Sequence, residues 1–297
     1  MIGSYNTDLV IWCDAIPVKG QSIMGGDFEM FSGGRGANCA VAAARAGCQV
    51  KFVGAHGRDA FANMAIERLE REGIDISDFI ELPLSKTGVA MIFQERKTAA
   101  HAALVSISAN NEFTPDLVRK VEPAIRQSDL VFTQFEISSS VLLEIYRICH
   151  RHKKRLVVHA APVQPPTQFP EGSYYLVVAD DFEAVLMAGC EDVHEAIQEL
   201  HRRGVQNVVI KHKHDSLTFS DGKMSRAHII PRALFTQDAG SVECLTAWAG
   251  ITLARTADLA YATYVGALAM AFSFSRHGAE DSMPYLSELG IKAFSKQ

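Results

Sequence analysis

The sequence is short of the features that mark secreted, membrane and nucleic-acid-binding chains. No apolar run reaches the ~18–20 residues that a membrane span requires. The six cysteines (Cys13, Cys39, Cys48, Cys149, Cys190 and Cys244) are widely spaced and form no Cys-x-x-Cys pair. That excludes a disulfide scaffold and a zinc ribbon, and it places the thiols as small apolar residues in a reducing cytoplasm. The opening stretch MIGSYNTDLVIWC has no basic leader and no small-residue cleavage site, which predicts no signal peptide. Cations are also scarce, with 29 Lys and Arg against 34 Asp and Glu and a net charge of −5. Holding nucleic acid non-specifically needs clustered cations facing phosphates, so neither nucleic acid nor membrane is an expected partner. Internal repeats and low-complexity tracts are absent. What remains is 297 residues with 48% apolar and 21% charged content, an ordinary globular balance with room for one large core.

The pattern along the chain alternates short β-type runs with longer helical runs. VKFVGAH (50–56), DLVFTQ (129–134), RLVVHA (155–160), YYLVVA (174–179) and NVVIK (207–211) read as strands. Helices are predicted over 59–72, 141–152, 181–188 and 192–203, and the C-terminal third turns helical over 241–254 and 259–275. Strand–helix repetition with near-continuous Val, Leu and Ile in the strands predicts an α/β, doubly wound, mainly parallel sheet covered on both faces. Residues 9–32 and 88–109 break this rhythm. They read either as a small antiparallel sheet inserted as a lid on one domain of residues 1–297, or as edge strands of the main sheet. The proline-bearing stretch 162–170 reads as a loop.

The strongest local signal is FSGGRGANCAVAAARAG, residues 31–47. Gly33, Gly34 and Gly36 form a loop whose backbone can approach a ligand, because no Cβ intervenes. A glycine cluster before a helix is by itself equally a structural turn. It has no Gly-Lys-Ser/Thr ending and does not directly follow a buried strand, which separates it from the Walker A and dinucleotide patterns.

Gly33-Gly34-Arg35-Gly36-Ala37-Asn38 with its Ala-rich helix resembles the first signature of the ribokinase family, the PfkB sugar kinases. Gly3-Ser4-Tyr5-Asn6-Thr7-Asp8 resembles the family's opening motif, and Thr87-Gly88-Val89-Ala90 resembles its lid strand. Ser108-Ala109-Asn110, Gln134-Phe135-Glu136, and His277-Gly278-Ala279 with Ser282 and Pro284 extend the likeness over essentially the whole chain. The resemblance implies a ribokinase-like α/β fold with a small β-sheet lid, and transfer of the γ-phosphoryl of ATP to a sugar hydroxyl. It also implies magnesium, a monovalent cation as in many family members, and a homodimer through the lid. By resemblance Asn6, Asp8, Gly33, Gly34, Asn38 and Glu136 line a pentose site. Their chemistry agrees: Asp8 and Glu136 can accept from hydroxyls, Asn6 and Asn38 can donate and accept, and glycine amides can reach the sugar.

The family's second signature, Asp-Thr-Thr-Gly-Ala-Gly-Asp, supplies an anion hole at a helix start and a carboxylate base. Here the chain has Asp238-Ala239-Gly240-Ser241-Val242-Glu243. Counting back from Gly278 makes Glu243 the base and Gly240 and Ser241 the anion hole. The rival alignment puts Ser241 at the base position but shifts the following helices out of register. Val242 stands where the family has glycine, and its branched Cβ threatens the backbone geometry. The family's Asn-x-x-Glu appears as Asp180-Asp181-Phe182-Glu183, so Asp180 and Glu183 are the candidates for organising magnesium and nucleotide. The glycines that approach ATP are replaced by Lys211-His212-Lys213-His214-Asp215-Ser216, in which Lys211 and Lys213 either contact nucleotide or belong to a solvated turn. A metal site at His159, His212 and His214 is the weaker alternative to scattered histidines. Two functions stand open at this point. One is a divergent kinase acting on a small, pentose-like sugar with ATP, or with another donor or acceptor. The other is a non-catalytic sugar-binding protein that has lost efficient transfer.

Overall fold

The computed structural model describes residues 1–96, 101–163, 171–213, 216–231 and 239–291. In chain order the elements are β1 (Asn6–Cys13), β2 (Phe28–Gly33), α1 (Arg35–Arg45), β3 (Lys51–His56), α2 (Ala60–Arg71), β4 (Asp75–Glu81), β5 (Gly88–Glu95) and β6 (His101–Ser106). Then come the short helices α3 (Ala109–Glu112), α4 (Pro115–Lys120) and α5 (Glu122–Gln127), followed by β7 (Leu130–Gln134), α6 (Ser139–Arg151), β8 (Arg155–His159) and β9 (Leu176–Asp180). The chain continues through α7 (Asp181–Ala188), α8 (Val193–Arg202), β10 (Val208–Lys211), β11 (Ser216–Ser220), β12 (Ser225–Ile229), α9 (Ser241–Thr256), α10 (Leu259–Phe274) and α11 (Ala279–Ser282).

Strands β7, β8, β9 and β10 run parallel, and β11 and β12 continue the sheet antiparallel at one edge. At the other edge the first residues act as a splice. Ile2 N donates to Phe132 O at 3.0 Å, Gly3 N to Val53 O at 2.9 Å, and Val53 N to Met1 O at 2.8 Å, which joins the parallel pair β3–β4 to the larger sheet. Side chains alternate across it as the two-residue strand period requires. Val157, Val178 and Val209 face the core built with α1, α9 and α10, whereas Leu156, Val158, Val177 and Val208 face the core built with α6, α7 and α8. Both faces are therefore dry, which is why the strands read as continuous apolar runs.

Helix starts are fixed by short acidic side chains. Asp59 accepts from Ala62 N at 3.0 Å, Asp192 from Glu195 N at 2.9 Å, and Asp258 from Tyr261 N at 3.0 Å, each satisfying an amide that the helix leaves without a partner. The small residues of α1 are buried almost throughout, which lets α1 lie close against α9.

The two inserted segments form one four-stranded sheet in the order β2-β1-β5-β6. Its outer pairs are antiparallel, but β1 and β5 pair in parallel from Asn6 opposite Gly88 to Cys13 opposite Glu95. The expected antiparallel lid is therefore corrected to a mixed one. The reason is connectivity, since everything from β2 to β4 lies between β1 and β5, and a crossover of that length returns a strand in parallel. The boundaries also move. β1 begins at Asn6 rather than at residue 9, and the stretch to residue 109 ends in a tight bend at Ser108 (φ 48°) that opens α3.

Candidate active site

Successive parallel strands end in polar residues at one edge: Gln134 on β7, His159 on β8, Asp180 on β9 and Lys211 on β10. In register Gln134 stands opposite His159 and Lys211 opposite Asp180. Ligands of open α/β sheets bind at these carboxyl ends. The N-termini of α1, α7 and α9 come to the same edge, and β1 and β2 of the lid begin and end there.

Glu136, two residues beyond β7, is the most heavily held side chain. Its Oε2 accepts from Ser4 Oγ at 2.6 Å, Arg35 N at 3.3 Å and Asn6 Nδ2 at 3.4 Å, while Oε1 lies 3.4 Å from Arg35 Nε. Buried Gln134 in turn donates to Ser4 Oγ at 2.9 Å. Asp8 lies across the strand pair with its carboxylate over Gly33. A Cβ on Gly33 would fall 2.3 Å from Asp8 Oδ2, so only glycine leaves the carboxylate where it is. Gly34 is in the left-handed region (φ 88°), and a Cβ there would meet Asn6 N at 2.5 Å. Asn38 is buried, and its Oδ1 has no hydrogen-bond partner among the described residues, an acceptor aimed at nothing the protein supplies. The structure brings Asp8, Glu136, Asn38 and the two glycines together at this end of the lid. Asn6 is placed differently. Its carbonyl accepts from Asn110 Nδ2 at 3.0 Å and its amide goes to Glu136, so it is a strut between the lid and Glu136. Asn110 also ties both backbone groups of Tyr5.

The region expected to serve phosphoryl transfer lies at the start of α9. Gly240 takes a left-handed conformation (φ 75°) against Ala279, whose O would lie 3.1 Å from a Cβ at that position. Ser241, Val242 and Glu243 follow as the first helical turn. Glycine carries no side chain to cap their amides, and the helix dipole adds to their pull on an anion. Val242 does not disturb this start. Its backbone is helical and its side chain packs half-buried against the core around α1 and α9. Glu243 is buried, with Oε1 3.1 Å from Arg35 Nη1 and 3.5 Å from His159 Nδ1. Asp238, the first residue of the degenerate signature, lies outside the described residues, as do His214 and Asp215.

Asp180 and Glu183 form a capping box on α7. Asp180 Oδ1 accepts from Glu183 N at 2.7 Å and Glu183 Oε2 from Asp180 N at 2.8 Å. Their first role is therefore to fix the helix, and the cap engages one oxygen of each. Lys211 Nζ sits 5.6 Å above the Phe274 ring, and Lys213 is exposed. His212 is spent between Asp181 Oδ1 at 2.5 Å and Thr218 Oγ1 at 2.7 Å. No group of three His, Cys, Asp or Glu among the described residues could hold a metal ion.

The electrostatics follow from crowding carboxylates with few cations. Burial, then the charges of Glu136, Glu280 and Glu243, push Asp8 up to about 7. Burial also raises Glu183 to about 7, opposed by the hydrogen bond it accepts from Asp180 N and by the charge of Arg35, while the charges of Asp180 and Glu243 add to the rise. His159 goes the other way: burial, with Arg35 and Lys211 nearby, holds it well below the ordinary histidine value.

Sequence reasoning gave no site role to Ser4, Arg35, Asn110 or Gln134, and considered His159 only as a metal ligand with His212 and His214. Arg35 was visible as the cation inside the glycine motif. His159 was visible as a polar residue ending an otherwise apolar strand run.

Comparisons with known proteins place the whole chain. The sequence matches the family pattern described as pfkB family carbohydrate kinase over residues 1–285. It is 26% identical to the ribokinase of Bacillus subtilis (strain 168) over 291 residues, covering 97% of each chain. It is 30% identical to the ribokinase of Schizosaccharomyces pombe over 223 residues, covering 71% of this chain and 70% of the relative. The fold superposes on the ribokinase of Giardia lamblia with a TM-score of 0.88 at 22% identity, covering 97% of each chain. It superposes equally on Arabidopsis thaliana ribokinase complexed with ribose and ATP, with a TM-score of 0.88 at 20% identity, covering 100% of this chain and 98% of that one. With that match running from the first residue through α11, the chain belongs to the pfkB family of carbohydrate kinases and is a phosphotransferase.

Proposed function

We propose that this kinase transfers the terminal phosphoryl group of ATP to a hydroxyl of a small, pentose-like sugar. The observation that carries the proposal is the position of Arg35. One guanidinium touches Glu136 at 3.4 Å and Glu243 at 3.1 Å, so the sugar-holding and proton-accepting carboxylates stand a single side chain apart. Phosphoryl transfer depends on bringing acceptor and donor into line and stabilising charge, and this spacing serves both.

Glu136 and Asp8 accept from sugar hydroxyls, and Asn38 Oδ1 gains the partner it lacks in the protein alone. Ser4, Gln134 and Asn6 hold Glu136 so that its rotamer is set before the sugar arrives. The acceptor hydroxyl gives its proton to Glu243 as its oxygen bonds to the γ-phosphorus and the bond from that phosphorus to the β-phosphate oxygen breaks. The first-turn amides of α9 and the Arg35 guanidinium stand where negative charge collects on the transferring group. Magnesium bound with ATP neutralises phosphate charge, and Asp180 and Glu183 are the residues that would organise it. Lys211 and Lys213 take the place of the missing glycines beside the nucleotide. The apolar side chains that the lid exposes, among them Phe28, Met30 and Leu104, support a homodimer through that sheet. The six unpaired cysteines suit the cytoplasm.

The test is an ADP-release assay with ATP and magnesium over a panel of pentoses and hexoses, paired with calorimetry of each sugar alone. Saturable turnover on a pentose is expected. Sugar binding with no turnover on any member of the panel would instead favour the non-catalytic binder. Sedimentation of the protein with and without Leu104→Lys tests the dimer.

A further inference from the structure

His159 has no part in the mechanism above, yet its position is unusual. It is 1% exposed at the end of β8, and its Nδ1 has no hydrogen-bond partner among the described residues. That nitrogen points at Glu243 Oε1 across 3.5 Å, longer than a hydrogen bond and short enough to become one with a small shift. Leaving a buried ring nitrogen unpaired is destabilising, so a site that keeps one aimed at a carboxylate has a use for it.

Glu243 gives the reason. A glutamate has one more rotatable bond than aspartate, so its carboxylate needs an additional hold to present one chosen oxygen. In the free protein Arg35 supplies that hold, but Arg35 is shared with Glu136. A polyphosphate arriving at the start of α9 carries several negative charges and competes for the same guanidinium. His159 comes from β8, behind Glu243, and has no such competitor. The charged groups facing it are Glu243 from α9, Arg35 from α1 and Lys211 from β10. Between two cations, and buried, the ring stays neutral and carries a single N–H.

We propose that His159 is a positioning residue for Glu243: its Nδ1–H donates to Oε1 and turns the carboxylate toward the acceptor hydroxyl when Arg35 is drawn to phosphate. The proposal rests on Glu243 being the base.

The experiment uses the full chain with D-ribose, ATP and magnesium. His159→Leu removes the donor, and His159→Asn returns an N–H near the position of Nδ1. His159→Leu is expected to lower kcat by roughly 10–100-fold, the scale of a misplaced reacting group, with calorimetric ribose affinity unchanged. His159→Asn is expected to recover most of that loss. Removing a donor to the carboxylate disfavours its ionised form, so the acidic limb of the kcat profile moves to higher pH in His159→Leu, which a packing defect alone would not cause. Nitrogen-15 spectra of the unmutated protein are expected to show His159 neutral with its proton on Nδ1. A proton on Nε2, or a His159→Leu enzyme with unchanged kcat and pH profile, overturns the proposal. Glu243→Gln is measured in parallel. If it retains wild-type turnover, the base assignment itself has failed. If it is inactive while His159→Leu is not, only the role of His159 has failed.

Discussion

Gly33→Ala tests the sugar half of the site at one atom. The added Cβ would fall 2.3 Å from Asp8 Oδ2, 2.7 Å from Cγ and 2.9 Å from Oδ1, whereas ordinary contact begins at 3.4 Å. The Asp8 carboxylate must therefore retreat by about 1 Å. The backbone does not resist the substitution, because Gly33 is not among the positive-φ glycines. Nor does the fold, because what moves is the end of a side chain. The stability change should stay within about 1 kcal/mol, since alanine also restricts the unfolded chain. Sugar binding should suffer far more. A displaced carboxylate loses its hydrogen bond to a hydroxyl, worth roughly 1.5–3 kcal/mol for a charged acceptor, or about 10–100-fold in Kd. Calorimetry with D-ribose measures the loss and a thermal melt measures the stability. The decisive comparison is the double variant. Gly33→Ala acts through Asp8, so adding it to Asp8→Ala should cost nothing further. Unchanged ribose affinity in Gly33→Ala, or losses that add in the double variant, would show that Asp8 does not hold the sugar from this position.

Three further outcomes follow from the same coordinates. Glu243→Gln should reduce turnover by roughly 10²–10⁴-fold while ribose affinity stays within about 2-fold, measured by steady-state kinetics and calorimetry together. Asp8→Asn should change stability in a pH-dependent way. The carboxyl is raised from 3.8 to about 7 in the folded state, so its contribution is fully present below pH 3.8 and is lost as pH rises through 7. The sugar-free Asn variant should therefore melt higher than wild type at pH 8 and lose that advantage by pH 4. Asp180→Asn should keep the α7 cap, since asparagine caps as well as aspartate, and remove a negative charge beside the nucleotide. Unchanged melting with ATP–magnesium binding weakened several-fold is expected, because the Asp180 charge helps to organise magnesium, and tighter binding would mean that the charge only repels the nucleotide.

The parallel body of the fold was legible because burial on both sheet faces leaves its mark on composition. A strand such as Leu176–Asp180, sealed between the core of α1, α9 and α10 on one side and the core of α6, α7 and α8 on the other, has few polar options before its last residue. The lid was legible only as strands. Strand direction depends on what the chain does between two segments, and neither 9–32 nor 88–109 contains that information. Asp8 and Glu136 could be proposed for the sugar because they lie in motifs with their neighbours. The way Ser4, Gln134, Asn110 and Asn6 support one another could not be read, because those contacts join residues more than a hundred positions apart.

Val242 shows where position-by-position comparison and physics part. As a replacement for glycine its branched Cβ was expected to disturb the backbone geometry or crowd the phosphate. The structure puts the left-handed turn at another position. Gly240 carries the left-handed turn and the close approach to Ala279, so it is the position that cannot take a side chain. Val242 lies one step inside the helix, where φ and ψ are ordinary and a branched side chain costs a few tenths of a kcal/mol. Its backbone amide stays in the first turn, and its side chain packs against the core. In the proposed mechanism the demand at this loop falls on Gly240 and on the placement of Glu243. A substitution that lengthens the carboxylate, rather than one that fills a glycine, is what asks for new partners, and Arg35 and His159 are the side chains that meet it.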